Sequence, residues 1–271
     1  YHKTKSEVVK WGGIVLGNLS LQIDNKYKMY EYGGCELIIE ILGLHKEIVT
    51  LAQWGFYAIG HFSTDNIEMS TNIGILGGCE LVIEILRCHK KIITVGQWGC
   101  FALGKLSSNN NENRMTIGAN GGCELVIEIL RCHKENITIA QWGCFALGKF
   151  CNNNDKLCTK IGILGGCELV MEVLGNHSTI DKVVEEGFYL FCGLCYKNNN
   201  NRQKIVGNGG CELLLKILRR HRTNDIVVKW ACLAFGNLCY NTDISNITLL
   251  LYRLYFFFYL FYTSNSTIIS L

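Results

Sequence analysis

Fifteen cysteines and seven histidines stand in a chain of 271 residues. These side chains could ligate a metal, exchange disulfides or act as general bases. Zinc ligation needs two close-spaced pairs around one centre. Cys192 and Cys195 form the only C-x-x-C, and no second pair at zinc spacing accompanies them. Cys195 also falls in register with Cys151 and Cys239, 44 residues away on either side (195−151, 239−195), so repetition accounts for it. The histidines His45, His89, His133, His177 and His221 are likewise 44 apart; His2 precedes His45 by 43, and only His61 lies off the register. Copies separated by a whole repeat, roughly 10 Å, cannot share a metal. They close helices beside Arg87, Arg131 and Arg219, where positive groups offset the negative end of the helix dipole. The registered Glu36, Glu80, Glu124, Glu168 and Glu212 fall in first helical turns, where acids offset orphan N–H groups. No phosphate-binding loop, nucleophile elbow or metal-ligand helix motif occurs. The residues therefore read as non-enzymatic, with no cofactor and no metal.

The spacing itself is the strongest signal. Gly-Gly-Cys-Glu-Leu begins at Gly33, Gly77, Gly121, Gly165 and Gly209, each 44 after the last (77−33, 121−77, 165−121, 209−165). A fixed period of this length is the signature of a solenoid. Trp11, Trp54, Trp98, Trp142 and Trp230 keep the same register, and Glu186 takes the place of the missing tryptophan. The division that follows is 1–20 as the third helix of a truncated repeat, then repeats 21–63, 64–107, 108–151, 152–195 and 196–239, then an apolar tail, 240–271.

Within a unit, residues 121–133 place Leu125, Val126, Ile129 and Leu130 opposite Glu124 and Glu128, one amphipathic helix. Residues 137–150 put Ile139, Gly143, Ala146, Leu147 and Phe150 on a second stripe, with small residues where another helix can approach. Asn113 to Gly118 predicts a short leading helix, and Asn-rich loops such as 109–111 and 198–201 supply caps and turns. Each repeat is thus short helix, helix, helix.

Composition agrees. The chain has no Pro and no linker-like run, is 49% hydrophobic and carries a net charge of only +3, too little for a nucleic-acid footprint. The cysteines recur at fixed helical positions, where free thiols behave as small buried hydrophobes. This predicts reduced thiols and a cytoplasmic or nuclear location.

The order N-x-N-R-x-x-I-G, then Gly-Gly and an apolar helix, then a helix ending Ala-Leu-Gly-x-Leu resembles the armadillo repeat from residue 1 to about 240. HEAT repeats are the near alternative, but they have two helices per unit and usually a Pro. The resemblance implies an all-α, right-handed superhelix of three-helix repeats whose third helices line a concave groove. In that family an Asn near the end of each third helix bonds an extended peptide, often beside a Trp. Here the Asn position holds Asn18, His61, Lys105, Lys149, Gly193 and Asn237, so only the outermost two match. One turn earlier stand Ile14, Tyr57, Phe101, Phe145, Tyr189 and Leu233; the Trp column lies a further turn back.

Two readings of this aromatic ridge stand side by side. The rings could wedge third helices apart as partial core, or, with Lys105 and Lys149, form a binding face for a protein or peptide with apolar side chains and carboxylates. The leading function is a protein-interaction scaffold. A nuclear-transport type of peptide adaptor comes third, disfavoured by the broken Asn ladder.

The ends carry their own expectations. The chain opens at Tyr1 without Met and inside a repeat, which suggests a fragment. Ile247 to Tyr262 is nearly unbroken apolar sequence, interrupted by Arg253. It reads as a membrane anchor, a capping helix or a gene-model artefact. The anchor reading makes a membrane-tethered adaptor the second functional hypothesis.

Overall fold

A computed structural model describes residues 6–239, which form sixteen α-helices and no strand. His2 and the tail with Ile247 to Tyr262 lie outside the described residues.

The leading helix α1 (Ser6–Leu19) is followed by five helix triplets. The short first helices are α2 (Ile23–Glu31), α5 (Ile67–Ile75), α8 (Asn111–Ala119), α11 (Asp155–Ile163) and α14 (Asn199–Gly207). The second helices are α3 (Gly34–Leu44), α6 (Gly78–Cys88), α9 (Gly122–Cys132), α12 (Gly166–Asn176) and α15 (Gly210–Arg220). The third are α4 (Val49–Phe62), α7 (Ile93–Ser107), α10 (Ile137–Cys151), α13 (Asp181–Cys195) and α16 (Asp225–Cys239).

Local chemistry explains the boundaries. Asn66, Asn110, Asn154 and Asn198 each cap a first helix, the side-chain oxygen accepting the backbone N–H three residues on. The residue before each cap is left-handed: Asp65, Asn109, Asn153 and Lys197 have φ of 54°, 54°, 51° and 49°. Asp and Asn adopt that region more readily than Lys. In the Gly-Gly pairs the first glycine makes the reversal, with Gly77 at φ +78°. The second has no room for a side chain, because a Cβ on Gly78 would come within 2.7 Å of the Ile73 carbonyl oxygen.

Consecutive third helices pack most extensively on one another, and α1 joins this layer against α4. One continuous core runs from Val9 to Leu238, filled by Leu, Ile, Val, Ala, Phe and Cys. Each fully buried large aliphatic contributes about 1.5–3 kcal/mol, and neighbours supply the partners, as in other stacked repeats.

The registered polar residues also tie neighbours together. Nε2 of His89, His133, His177 and His221 donates to the carbonyl of Lys46, Lys90, Lys134 and Ser178, one repeat back, at 2.9, 3.0, 2.8 and 2.7 Å. The dipole account of these histidines is therefore incomplete, since each is also a directed inter-repeat donor. Arg87 and Arg131 reach forward to the carbonyls of Asn120 and Leu164 at 3.0 and 2.8 Å. Lys46, Lys90 and Lys134 pair with Glu84, Glu128 and Glu172 of the next second helix.

A finer alternation underlies the 44-residue period. The two residues three and four after the Asn cap are Met69-Ser70, Asn113-Arg114, Leu157-Cys158 and Asn201-Arg202, so an Asn-Arg pair alternates with an aliphatic residue followed by Ser or Cys. Asn113 Nδ2 donates to the Ser70 and Leu106 carbonyls at 2.9 and 3.0 Å, and Asn201 Nδ2 to the Leu194 carbonyl at 3.0 Å. Arg114 and Arg202 donate to the Ser107 and Cys195 carbonyls at the ends of the preceding third helices.

Candidate protein-binding surface

Side chains at the tryptophan position and one turn later meet across the third helices. Trp54 and Tyr57 are 5.6 Å apart between ring centroids, Tyr57 and Trp98 4.6 Å, Trp98 and Phe101 5.7 Å, Phe101 and Trp142 4.7 Å, and Trp142 and Phe145 5.6 Å. The pairs meet edge to face, an arrangement worth about 0.5–1.5 kcal/mol each beyond the area buried. The chain of rings stops at Glu186 and resumes with Tyr189 and Trp230, 5.0 Å apart.

Glycines on the preceding third helix receive the rings. Phe101 lies against Gly60; a Cβ on Gly104 would sit 2.5 Å from Phe145, and one on Gly148 2.6 Å from Tyr189. Gly17 takes the edge of Trp54 in the same way. Phe101 and Phe145 are only 4% and 7% exposed, so these two act as inter-helix wedges rather than as open contact surface. Trp54, Trp98, Trp142, Trp230, Tyr57 and Tyr189 remain partly accessible, and Trp11 is 61% exposed.

The Asn column is uneven. Asn18 is exposed, whereas Asn237 uses its side-chain amide on the Cys192 carbonyl at 3.1 Å. His61 lies between Tyr57 and Phe101, edge-on to the first and tilted to the second, with ring centroids 4.4 and 5.3 Å away. Burial, with Lys105 and Lys26 nearby, pushes its imidazole down to about 4, so His61 is neutral near pH 7. Lys105 Nζ lies 5.7 and 5.4 Å from the Phe101 and Phe145 ring centres, and Lys149 Nζ 5.3 and 4.7 Å from those of Phe145 and Tyr189. Each ammonium is thus lodged between two rings. Among the described residues neither lysine pairs with a carboxylate within 4.0 Å. Burial lowers both pKa values, with Asp65 and Glu186 acting in the opposite direction on each.

Glu186 is the half-buried acid of this face. Desolvation, the largest cause, and Glu185 raise its carboxyl to about 7, against the pull of Lys149, Lys182 and Lys105. The sequence shows the substitution of the tryptophan; only the packing shows that its carboxyl is desolvated enough to hold a proton up to about 7.

The C-x-x-C thiols are interior. Cys192 and Cys195 are 7% and 0% exposed, burial pushes both thiols up, and Cys192 donates to the Trp230 carbonyl. Among the described residues no group of three His, Cys, Asp or Glu side chains is arranged to hold a metal ion. No single described helix is long and apolar enough to cross a membrane.

Three-helix repeats stacked through their third helices define an armadillo-like helical repeat fold. Solved structures agree. An engineered protein superposes with a TM-score of 0.77 at 19% identity over 87% of this chain and 94% of its own. A designed armadillo repeat protein in complex with the peptide (KR)4 gives 0.72 at 17% identity over 87% and 95%. Computationally designed armadillo repeat proteins for modular peptide recognition give 0.69 at 17% identity over 83% and 91%. No family model and no curated protein matches the sequence.

Proposed function

We propose that the protein is a non-enzymatic interaction scaffold that binds a protein or peptide on its third-helix face. The observation that carries this reading is the pair Lys105 and Lys149. Two cations are lodged between aromatic rings with no carboxylate among the described residues within 4.0 Å, Asp65 and Glu186 acting on them only from farther away, beside partly accessible tryptophans. A bound carboxylate would satisfy the ammonium groups while apolar side chains cover Trp98 and Trp142. The ligand is therefore an acidic segment with apolar side chains, opposite in charge to the (KR)4 peptide held by the designed neighbour. With the Asn position occupied by His61, Lys105 and Lys149 in the centre, side chains rather than a backbone ladder supply the recognition.

A glutamate at either position would set a carboxylate against the ring quadrupoles and so disturb stability as well as binding. Lys105→Met with Lys149→Met keeps the apolar stem and removes only the charge. Peptides selected from a random display library by the wild type should be enriched in Asp, Glu and apolar residues. The double variant should bind them at least tenfold more weakly with little change in melting temperature. Selection of basic peptides, or equal binding by the variant, overturns the reading.

A further inference from the structure

The second helices carry an inter-repeat ion-pair ladder that fails at one place. Lys46, Lys90 and Lys134 meet Glu84, Glu128 and Glu172. At the next step the lysine position holds Ser178 and the glutamate position holds Lys216, so the charge is reversed and the pair is lost. Arg219 and Arg220 follow at the i+3 and i+4 positions of Lys216, beside it on the α15 surface. Counted over the helices themselves, α3 and α12 carry two acids and no base, α6 and α9 two acids and one base, and α15 one acid and three bases.

Ser178, Lys216, Ile217, Arg219 and Arg220 line a shallow cleft of about 350 Å³. Among the described residues none of the three cations makes an ion pair. Of the nearby acids, Glu168 and Glu172 line a separate cleft between α12 and α15, with Asn208 and Leu213, Asp181 pairs with His221, and Glu212 stands one turn before Lys216 on α15 without lining the cleft.

We propose that the Ser178–Lys216–Arg219–Arg220 cleft binds a phosphate monoester group carried by a partner polypeptide. Two guanidinium forks, an ammonium and a hydroxyl match the three acceptor oxygens and the charge of about −1.5 to −2 of such a group, whereas a single carboxylate would leave the cations undercompensated. The patch is small and bordered by the acidic α12 surface. An anionic bilayer would be repelled by that border, while one phosphorylated side chain on an extended segment avoids it.

The test uses the full chain and three probes at fixed ionic strength. These are a short neutral peptide with one phosphoserine, the same peptide with glutamate in its place, and vesicles containing a phosphoinositide. Lys216→Glu restores the residue type of the four other second helices and so keeps the fold, checked by circular dichroism and melting temperature. Arg219→Gln with Arg220→Gln removes the forks at similar length. The phosphopeptide should bind saturably, roughly tenfold or more weakly to either variant, and better than the glutamate peptide. Equal binding by wild type and variants, or no preference for phosphoserine over glutamate, overturns the site. Vesicle binding that Lys216→Glu abolishes, without phosphopeptide binding, overturns the polypeptide source.

Discussion

Replacing Glu186 by glutamine removes a titrating proton from the third-helix layer at almost constant volume. In the folded protein the carboxyl holds its proton up to about 7, against an ordinary value of 4.5. Below about pH 4.5 the group is protonated in both folded and unfolded chains, and the wild type and Glu186→Gln differ little. As pH rises the unfolded chain ionises first, so wild-type stability is lost through the folded pKa and levels off above it. At about 1.4 kcal/mol per unit this amounts to about 3 kcal/mol between pH 4.5 and 8. Glu185, Lys149, Lys182 and Lys105 are the charged groups that set the value. The glutamine variant should therefore gain on the wild type by that amount across the window. For a chain of this size that is several degrees in melting temperature. Stacked repeats can unfold in parts, so the readout should be local: fluorescence of Trp142 and Trp230, the register mates of position 186 on the two third helices packed against α13, followed during thermal melts at pH 5 and pH 8. A difference that stays flat with pH, or a wild type that gains on the variant at pH 8, would refute the reasoning. A flat difference would mean that the lysines offset desolvation at the carboxylate, and a gain by the wild type that they outweigh it.

Three further substitutions test the packing and the backbone. Gly104→Ala places a methyl 2.5 Å from the Phe145 ring; overpacking of about 1–3 kcal/mol outweighs the helix-propensity gain of about 1 kcal/mol, so the melting temperature should fall. Gly12→Ala, with nothing within 4 Å of its Cβ, is the control and should raise it. Lys197→Asn relieves the left-handed residue at φ 49° that its register mates Asp65, Asn109 and Asn153 tolerate. It should stabilise by about 0.5–1 kcal/mol in the same melts, and a loss of stability would contradict the strain argument.

The sequence by itself determined the repeat, its period and the three-helix unit, because these live in one-dimensional patterns. Gly-Gly-Cys-Glu-Leu recurs every 44 residues, and the Asn caps and apolar stripes recur with it. The helix boundaries followed from the same local chemistry, to within a residue or two. The loss of tryptophan at Glu186 and the broken Asn column were also legible, since a repeat exposes every departure from its register.

Which of the registered side chains are surface and which are core was decided only by tertiary structure. Phe101 and its glycine notch at Gly60 lie 41 residues apart (101−60), and nothing in either helix alone says that one enters the other. So the proposed aromatic face divided into buried wedges, Phe101 and Phe145, and partly open rings. The histidines likewise became inter-repeat donors only once a carbonyl 43 residues back lay within hydrogen-bond reach. Desolvation depends on every atom packed around a group, which is why the near-neutral carboxyl of Glu186 and the neutral imidazole of His61 had no signal in the sequence.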